Sequence, residues 1–365
     1  MNTAVPLLLA LAAGLAAEPA PRPARALPLR LDPAIVHVSA VRELADGRLL
    51  VSDAGKPAVY LLDPAAGTAS LLGSAGVGDT QYVQPGGFYD GPNGTILLLD
   101  RGQKRVLTVT PDGRITGSAS IAVQGTQSSS SSDVDHERPD AAGHAYFLQN
   151  AHALVNGSTT TPLLRFDPVA QHGDPVATIG LPEMKLTGSS GGMTFGRMII
   201  GSPADGWGVT AAGRVAVVRA APYRVEWYDR SGHVTRGPEI AYEPLPMTDA
   251  DKDAVRSSIK GRGGVSAGAV GGSITSAGDP GPLFAPTHPP FDAADVSVSP
   301  AGRVWVKRTA PANATATIYD VFDGAGARVE RLRFPAGSDV VGFGRGAVYV
   351  RETSPHGSTL KKYAA

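Results

Sequence analysis

The chain has 365 residues, of which 42% are hydrophobic and 18% charged, so it can bury a full core and is not a disordered segment. Basic and acidic residues number 33 each, and the resulting net charge of +0 argues against a nucleic-acid or anionic-membrane partner. The lack of cysteine excludes disulfides, while 45 glycines and 30 prolines favour many short strands joined by turns over long helices.

The first segment of the chain is apolar. Residues 5–17 have the length of the hydrophobic region of a signal peptide, and Gly14 and Ala16 provide small residues for a cleavage site. We therefore predict a signal peptide over residues 1–17, a linker over 18–26, and a secreted or periplasmic protein with no membrane span after signal removal. No lysine or arginine precedes the apolar run, so a misassigned start or a retained anchor stays open as the alternative.

A strand–glycine–strand pattern then recurs about six times along the chain. The best-defined copies are residues 45–53 and 92–100, which are offset by 47 residues. Each copy contains a marker glycine before its second strand, and the six marker glycines are Gly47, Gly94, Gly143, Gly213, Gly302 and Gly346. A repeat length in the forties is typical of four-stranded antiparallel propeller blades. The sequence thus predicts an all-β fold, a six-bladed β-propeller over residues 27–365.

The last repeat provides only three strands before the chain ends at residue 365. Because a closed ring needs a fourth strand there, we predict that residues 27–31 form the outer strand of the last blade and close the propeller.

Unequal spacing of the marker glycines predicts two insertions. The first covers residues 127–138 and 182–197 and includes a serine run, which indicates an irregular segment. The second covers residues 245–290. A capping-box-like start at Thr248 predicts one short helix from Asp249 to Lys260, followed by a glycine- and serine-rich loop. Such insertions serve as lids or partner surfaces, or they are solvated excursions.

The repeats also resemble a known family. Asn93-Gly94 leads into an apolar strand ending at Asp100, and the next strand ends in Pro111-Asp112-Gly113. This order of turn, apolar strand and closing turn resembles the NHL-type repeat, and the whole chain is similar to secreted bacterial six-bladed propellers of the NHL and TolB-like group. The resemblance implies a central channel with a functional surface on one face. It implies no catalytic set, because that group includes binders, scaffolds, lactonases and lyases.

Motifs for catalysis are weak in this chain. Two G-x-S-x-G strings, at residues 188–192 and 264–268, lie outside the strand–turn–helix context of a nucleophile elbow. His136, His144 and His152 have no zinc-binding spacing. We therefore predict no catalytic residue from these motifs.

One acidic set aligns between the repeats. Seven or eight residues before the marker glycine, four of the six repeats have aspartate, namely Asp135, Asp205, Asp295 and Asp339. Equivalent positions of a ring converge on its axis, so these four residues are the predicted ligand-binding and metal-binding site, with Ca²⁺ or Mg²⁺ as the candidate cofactor. The alternative is that each aspartate only ends a turn before a strand.

Two functions follow from these observations. The first is a monomeric, secreted binding or scaffold propeller that engages a protein, glycan or small ligand on its channel face or loops. The second is a lactonase-like or other hydrolase with a divalent cation at the acidic channel mouth. The lack of a coherent catalytic set favours binding over enzymatic activity.

Overall fold

The computed structural model describes residues 19–33, 35–121, 138–149, 158–190, 193–261, 282–354 and 357–365. Over these ranges the chain is mainly β-strand, with one α-helix, α1 (Asp249–Gly261), and two 3-10 turns at Pro92–Gly94 and Arg101–Gln103. Within the described ranges, none of the helices has the length and apolar character needed to cross a membrane. The predicted signal peptide lies outside the described residues.

Most strands belong to six antiparallel units, numbered here in chain order. Unit one contains Val38–Glu43, Leu49–Asp53, Ala58–Asp63 and Thr68–Leu71. Unit two contains Pro85–Asp90, Ile96–Asp100, Arg105–Val109 and Ile115–Ser120. Unit three contains Arg138–Pro139, Ala145–Leu148, Thr160–Asp167 and His172–Gly180. Each unit runs from its first to its last strand by consecutive antiparallel pairing, as the repeat predicts.

The second half of the chain follows the same order. Unit four contains Gly206–Val209, Val215–Ala220, Tyr223–Tyr228 and Val234–Arg236. Unit five contains Phe291–Val298, Val304–Arg308, Ala316–Phe322 and Arg328–Pro335. Unit six contains Ser338–Gly344, Ala347–Ser354 and Gly357–Ala364. A short parallel pair, Ser74–Ala75 with Gln81–Tyr82, lies between units one and two in the chain.

The marker glycines occupy the turn between the first and second strands of their units. All six have positive φ, between 58° at Gly346 and 90° at Gly47. Glycine adopts this left-handed conformation without the steric cost that a side chain adds, which explains why the repeat is most visible at this position.

The hydrophobic core is divided among neighbouring units. Six clusters of buried residues lie between units one and two, two and three, three and four, four and five, five and six, and six and one. Trp207, Trp227 and Trp305 each belong to one of them, as expected for packing residues. Units six and one also pair directly, since Gly342 lies opposite Val41 in a parallel register.

The N-terminal segment contacts the last two units. Arg22–Pro23 pairs in parallel with the last strand of unit five, and Ala26–Leu27 pairs antiparallel with Gly357–Ala364 of unit six. The outer strand predicted over residues 27–31 is thus two residues long and begins one residue earlier. Beyond it, Leu29 and Leu31 pack on the cluster between units six and one.

The described parts of both insertions contain regular structure, while the serine run and the glycine- and serine-rich loop lie outside the described residues. Within the segment 182–197, which the sequence predicts to be irregular, Met184–Ser190 pairs with Met193–Ile200 in an antiparallel hairpin. Leu283–Phe284 of the second insertion adds a parallel strand to this hairpin at Ile199 and Ile200. Helix α1 confirms the predicted capped helix. We call the hairpin, Leu283–Phe284 and α1 the cap.

Candidate functional site

A cavity of about 890 Å³ lies where the six units meet. The first strand of every unit contributes to its wall, with Arg42, Tyr89, Arg138, Trp207 and Phe291 among the lining residues of the first five units and Phe343 among those of the sixth. The first strands of the units thus form the wall of the cavity. Its volume is in the range of small-molecule sites.

The cap borders the same cavity. Met198, Ile199 and Ile200 of the hairpin and Val255 of α1 are lining residues. A backbone hydrogen bond from Ala285 N to the Ile200 carbonyl (2.9 Å) joins the second insertion to the hairpin, and a bond from Met247 N to the Pro286 carbonyl (3.0 Å) lies within the second insertion. The two insertions therefore form one covering structure, although they lie far apart in the sequence.

Asp251 holds the start of α1 in place. Its Oδ2 accepts hydrogen bonds from Thr248 N (2.9 Å) and Thr248 Oγ1 (2.5 Å), and Thr248 Oγ1 accepts one from Asp251 N (3.2 Å). Its Oδ1 accepts from Ala312 N (2.7 Å) in unit five, and His288 Nε2 lies 3.2 Å from Oδ2. Burial alone raises the pKa of a carboxyl, but these hydrogen bonds outweigh it and hold the pKa of Asp251 below its usual value. The capping box thus also attaches the helix to the propeller-like body.

Two of the four predicted aspartates lie together. Lys307 Nζ is 2.8 Å from Asp339 Oδ1 and 3.6 Å from Asp295 Oδ1, and Arg351 Nη2 is 2.9 Å from Asp339 Oδ2. Burial raises the pKa of Asp295 to about 6, with Lys307 opposing the shift and nearby carboxylates adding to it. Asp339 is half-buried, and although burial raises the pKa of a carboxyl, Lys307 and Arg351 together lower the pKa of Asp339. This group therefore holds one carboxyl that titrates near neutral pH and one that stays ionised.

Asp205 borders the cavity, but its carboxylate oxygens bond to residues of units three and four. Its Oδ2 accepts hydrogen bonds from Gly180 N and from Arg219 Nη1, both at 2.7 Å, and its Oδ1 accepts one from Ala220 N at 3.2 Å. These contacts connect unit three to unit four. Asp205 therefore connects the strands of units three and four. This structural role matches the turn-forming alternative better than a ligand-binding site on the axis.

The described aspartates of this set already have cationic partners. Asp205 pairs with Arg219, and Lys307 lies near both Asp295 and Asp339. Over the described ranges no three His, Cys, Asp or Glu side chains gather as metal ligands would. Asp135 lies outside those ranges, so its position stays a prediction.

A basic wall was missed by the sequence analysis. Arg42 of unit one forms a salt bridge with Asp90, while Arg101 and Arg138 also line the cavity. The guanidinium of Arg138 lies over the ring of Trp207, 4.8 Å from its centroid. Arg42 and Arg138 each stand five residues before their marker glycine, so aligning the repeats at that offset instead of seven or eight identifies both.

Comparison with known proteins adds a likeness of fold. No family model matches the chain, and no curated protein matches its sequence. A solved structure of an exported protein from Bacteroides fragilis is similar over 94% of both chains, with 11% identity and a TM-score of 0.50. A DUF4221-family member from Bacteroides vulgatus covers 94% of this chain and 96% of its own, with 9% identity and a TM-score of 0.45.

A gluconolactonase from Xanthomonas campestris is also similar, with 12% identity and a TM-score of 0.41 over 95% of this chain and 98% of its own. At these identities the likeness to the Bacteroides fragilis protein concerns the fold alone, which is a propeller-type arrangement of β-sheets.

Proposed function

We propose that this chain is a secreted or periplasmic six-bladed β-propeller that binds a small ligand in its axial cavity, under the cap. The single observation that carries the proposal is the cavity of about 890 Å³, to which all six first strands and the cap contribute. A large concave site with a few charged groups on an otherwise apolar wall is the usual form of a ligand-binding pocket.

Several observations support a ring of six blades. The buried clusters form a cycle in which unit six packs on unit one. The pairing of Ala26–Leu27 with the last strand of unit six joins the two ends of the chain, in place of a disulfide. The turns at the marker glycines are also consistent with an NHL-type repeat. The apolar run at residues 5–17 and the exported protein of similar fold support secretion.

A screen of small molecules tests the binding function. Thermal-shift measurements on the whole protein with sugar acids, lactones, amino acids and short oligosaccharides should yield at least one compound that raises the melting temperature, because a ligand that binds only the native state stabilises it. Ala40→Phe fills the cavity from unit one and should abolish this shift. The matched control, Ala65→Phe, adds the same ring at an exposed turn and should retain it.

The two possible failures are separable. A hit that binds equally well to Ala40→Phe lies elsewhere on the surface and contradicts the axial site. A panel without any hit leaves the cavity without a small-molecule role and favours a scaffold function on the loops.

The hydrolase hypothesis is the second candidate. Its specific support is Asp295, whose raised pKa suits a general acid or base near neutral pH. Incubation of the protein with a panel of lactones tests it, and Asp295→Asn should abolish any turnover found. Turnover that survives this substitution would exclude Asp295 as the acid or base.

A further inference from the structure

Arg138 has an unusual position in the cavity wall. It opens the first strand of unit three, and its guanidinium lies over the ring of Trp207 of unit four, 4.8 Å from the ring centroid. Gly208 leaves room here, because a Cβ atom there would lie 2.5 Å from Val298 Cγ2 and 3.2 Å from Arg138 Nη1. The inner strands of two neighbouring units therefore combine to hold one guanidinium at the cavity surface.

The charge of Arg138 has no carboxylate partner in the part of the chain that the structure describes. Its contacts there are the Trp207 ring and the electrostatic influence of Tyr89 and Arg101. Arg42, another arginine of the cavity wall, is neutralised by Asp90. The N–H donors of the Arg138 guanidinium are thus available to a ligand.

The surroundings of Arg138 favour an anion. Burial lowers the pKa of Arg138, Tyr89 opposes that shift, and the like charge of Arg101 lowers the pKa further. A bound anion stabilises a guanidinium that lies in a partly desolvated wall. Arginine presents paired N–H donors in a plane, which match the oxygens of a carboxylate or phosphate.

Unit five contributes a different chemistry to the same cavity. Asp292 and Asp295 are among its lining residues, and they accept hydrogen bonds from a ligand when ionised. A molecule that satisfies both regions has an oxyanion at one end and hydroxyl or amino donors at the other. The cavity therefore selects by charge at one wall and by donors at another.

We propose that Arg138 forms an oxyanion subsite of the axial cavity, and that the ligand is a small organic molecule bearing a carboxylate or phosphate together with hydrogen-bond donors. This inference deepens the proposed binding function and rests on it. Trp207 positions the guanidinium, and Arg101 adds positive potential.

Calorimetric titration with inorganic phosphate and with acetate, at constant ionic strength in the whole protein, tests the subsite. Both anions should bind saturably, and Arg138→Gln should weaken each by at least about tenfold, because a charge-assisted bidentate contact is lost. Preference for one of the two anions distinguishes a phosphate ligand from a carboxylate ligand. The matched control, Arg114→Gln, removes an exposed arginine that pairs with Asp112 and should leave binding unchanged.

A second variant guards against misfolding. Arg138→Lys keeps the charge but loses the planar donors, and it should bind phosphate with an affinity between those of wild type and Arg138→Gln. Failure of the wild-type protein to bind either anion, or equal binding by wild type and Arg138→Gln, overturns the subsite. If Ala40→Phe blocks a screened ligand whose affinity Arg138→Gln does not alter, the cavity function stands and only the oxyanion subsite is wrong.

Discussion

The carboxyl of Asp295 provides a sharp test of the electrostatics in the cavity. Burial raises its pKa from 3.8 to about 6, so the native state holds a proton there that the unfolded state releases. Between these two pH values the native state binds more protons than the unfolded state, and the free energy of unfolding therefore falls as the pH rises. Asp295→Asn removes this titration while keeping the side-chain shape.

The size of the effect follows from the shift. About two pKa units correspond to about 3 kcal/mol. The Asp295 side chain is 30% exposed to the cavity, where water screens the charge, and we therefore expect about 1.5 to 3 kcal/mol. As the pH rises from 4 to 7, the free energy of unfolding of the wild type should fall by this amount relative to that of Asp295→Asn.

Urea unfolding followed by tryptophan fluorescence across that pH range measures the difference. Glu243→Gln is the matched control, because it removes an exposed carboxylate away from the cavity, and it should reproduce the wild-type curve. Parallel pH profiles for wild type and Asp295→Asn would refute the reasoning, since they would mean that the carboxyl is not desolvated beside Lys307.

Three further predictions concern the framework of the site. Asp205→Asn should lower the free energy of unfolding in urea by about 2 to 4 kcal/mol, because it leaves Arg219 without its closest anion. An unchanged midpoint of urea unfolding would mean that Asp205 does not stabilise the contact between units three and four. Asp251→Asn should increase hydrogen exchange in α1 by about tenfold or more, because the hydrogen bonds of the capping box and the contact with Ala312 are lost, whereas exchange at unit two should not change. Deletion of residues 19–32 should lower the melting temperature by about 10 °C, since the segment pairs with units five and six, and an unaltered melting curve would exclude a closing role.

The units could be predicted from the sequence because each depends on local chemistry. The marker glycines identify turns with positive φ, and the apolar runs that follow them are the second strands, such as Leu49–Asp53 and Val304–Arg308. Helix α1 could be predicted for the same reason, because Thr248 and Asp251 form its capping box within four residues of sequence.

The cap and the site depend on contacts between distant segments. Pairing of Ile200 with Phe284 joins two insertions, and no local pattern specifies it. The acidic alignment gave no information on the partners of these carboxylates. Lys307, Arg351 and Arg219 decide what the described ones do. Alignment of the repeats identifies equivalent positions in the units, whereas the charge state of the side chains at those positions depends on their neighbours in space.

The most direct test of a ligand-binding cavity uses the three tryptophans as separate reporters. Trp207 lines the cavity, while Trp227 and Trp305 are buried in the clusters between units four and five and between units five and six. In ¹⁵N spectra of the indole groups, titration with inorganic phosphate should shift the Trp207 signal, leave the other two in place, and have no effect in Arg138→Gln. A Trp207 signal that does not move at saturating phosphate, or equal shifts of all three signals, would contradict anion binding beside Arg138 in this cavity.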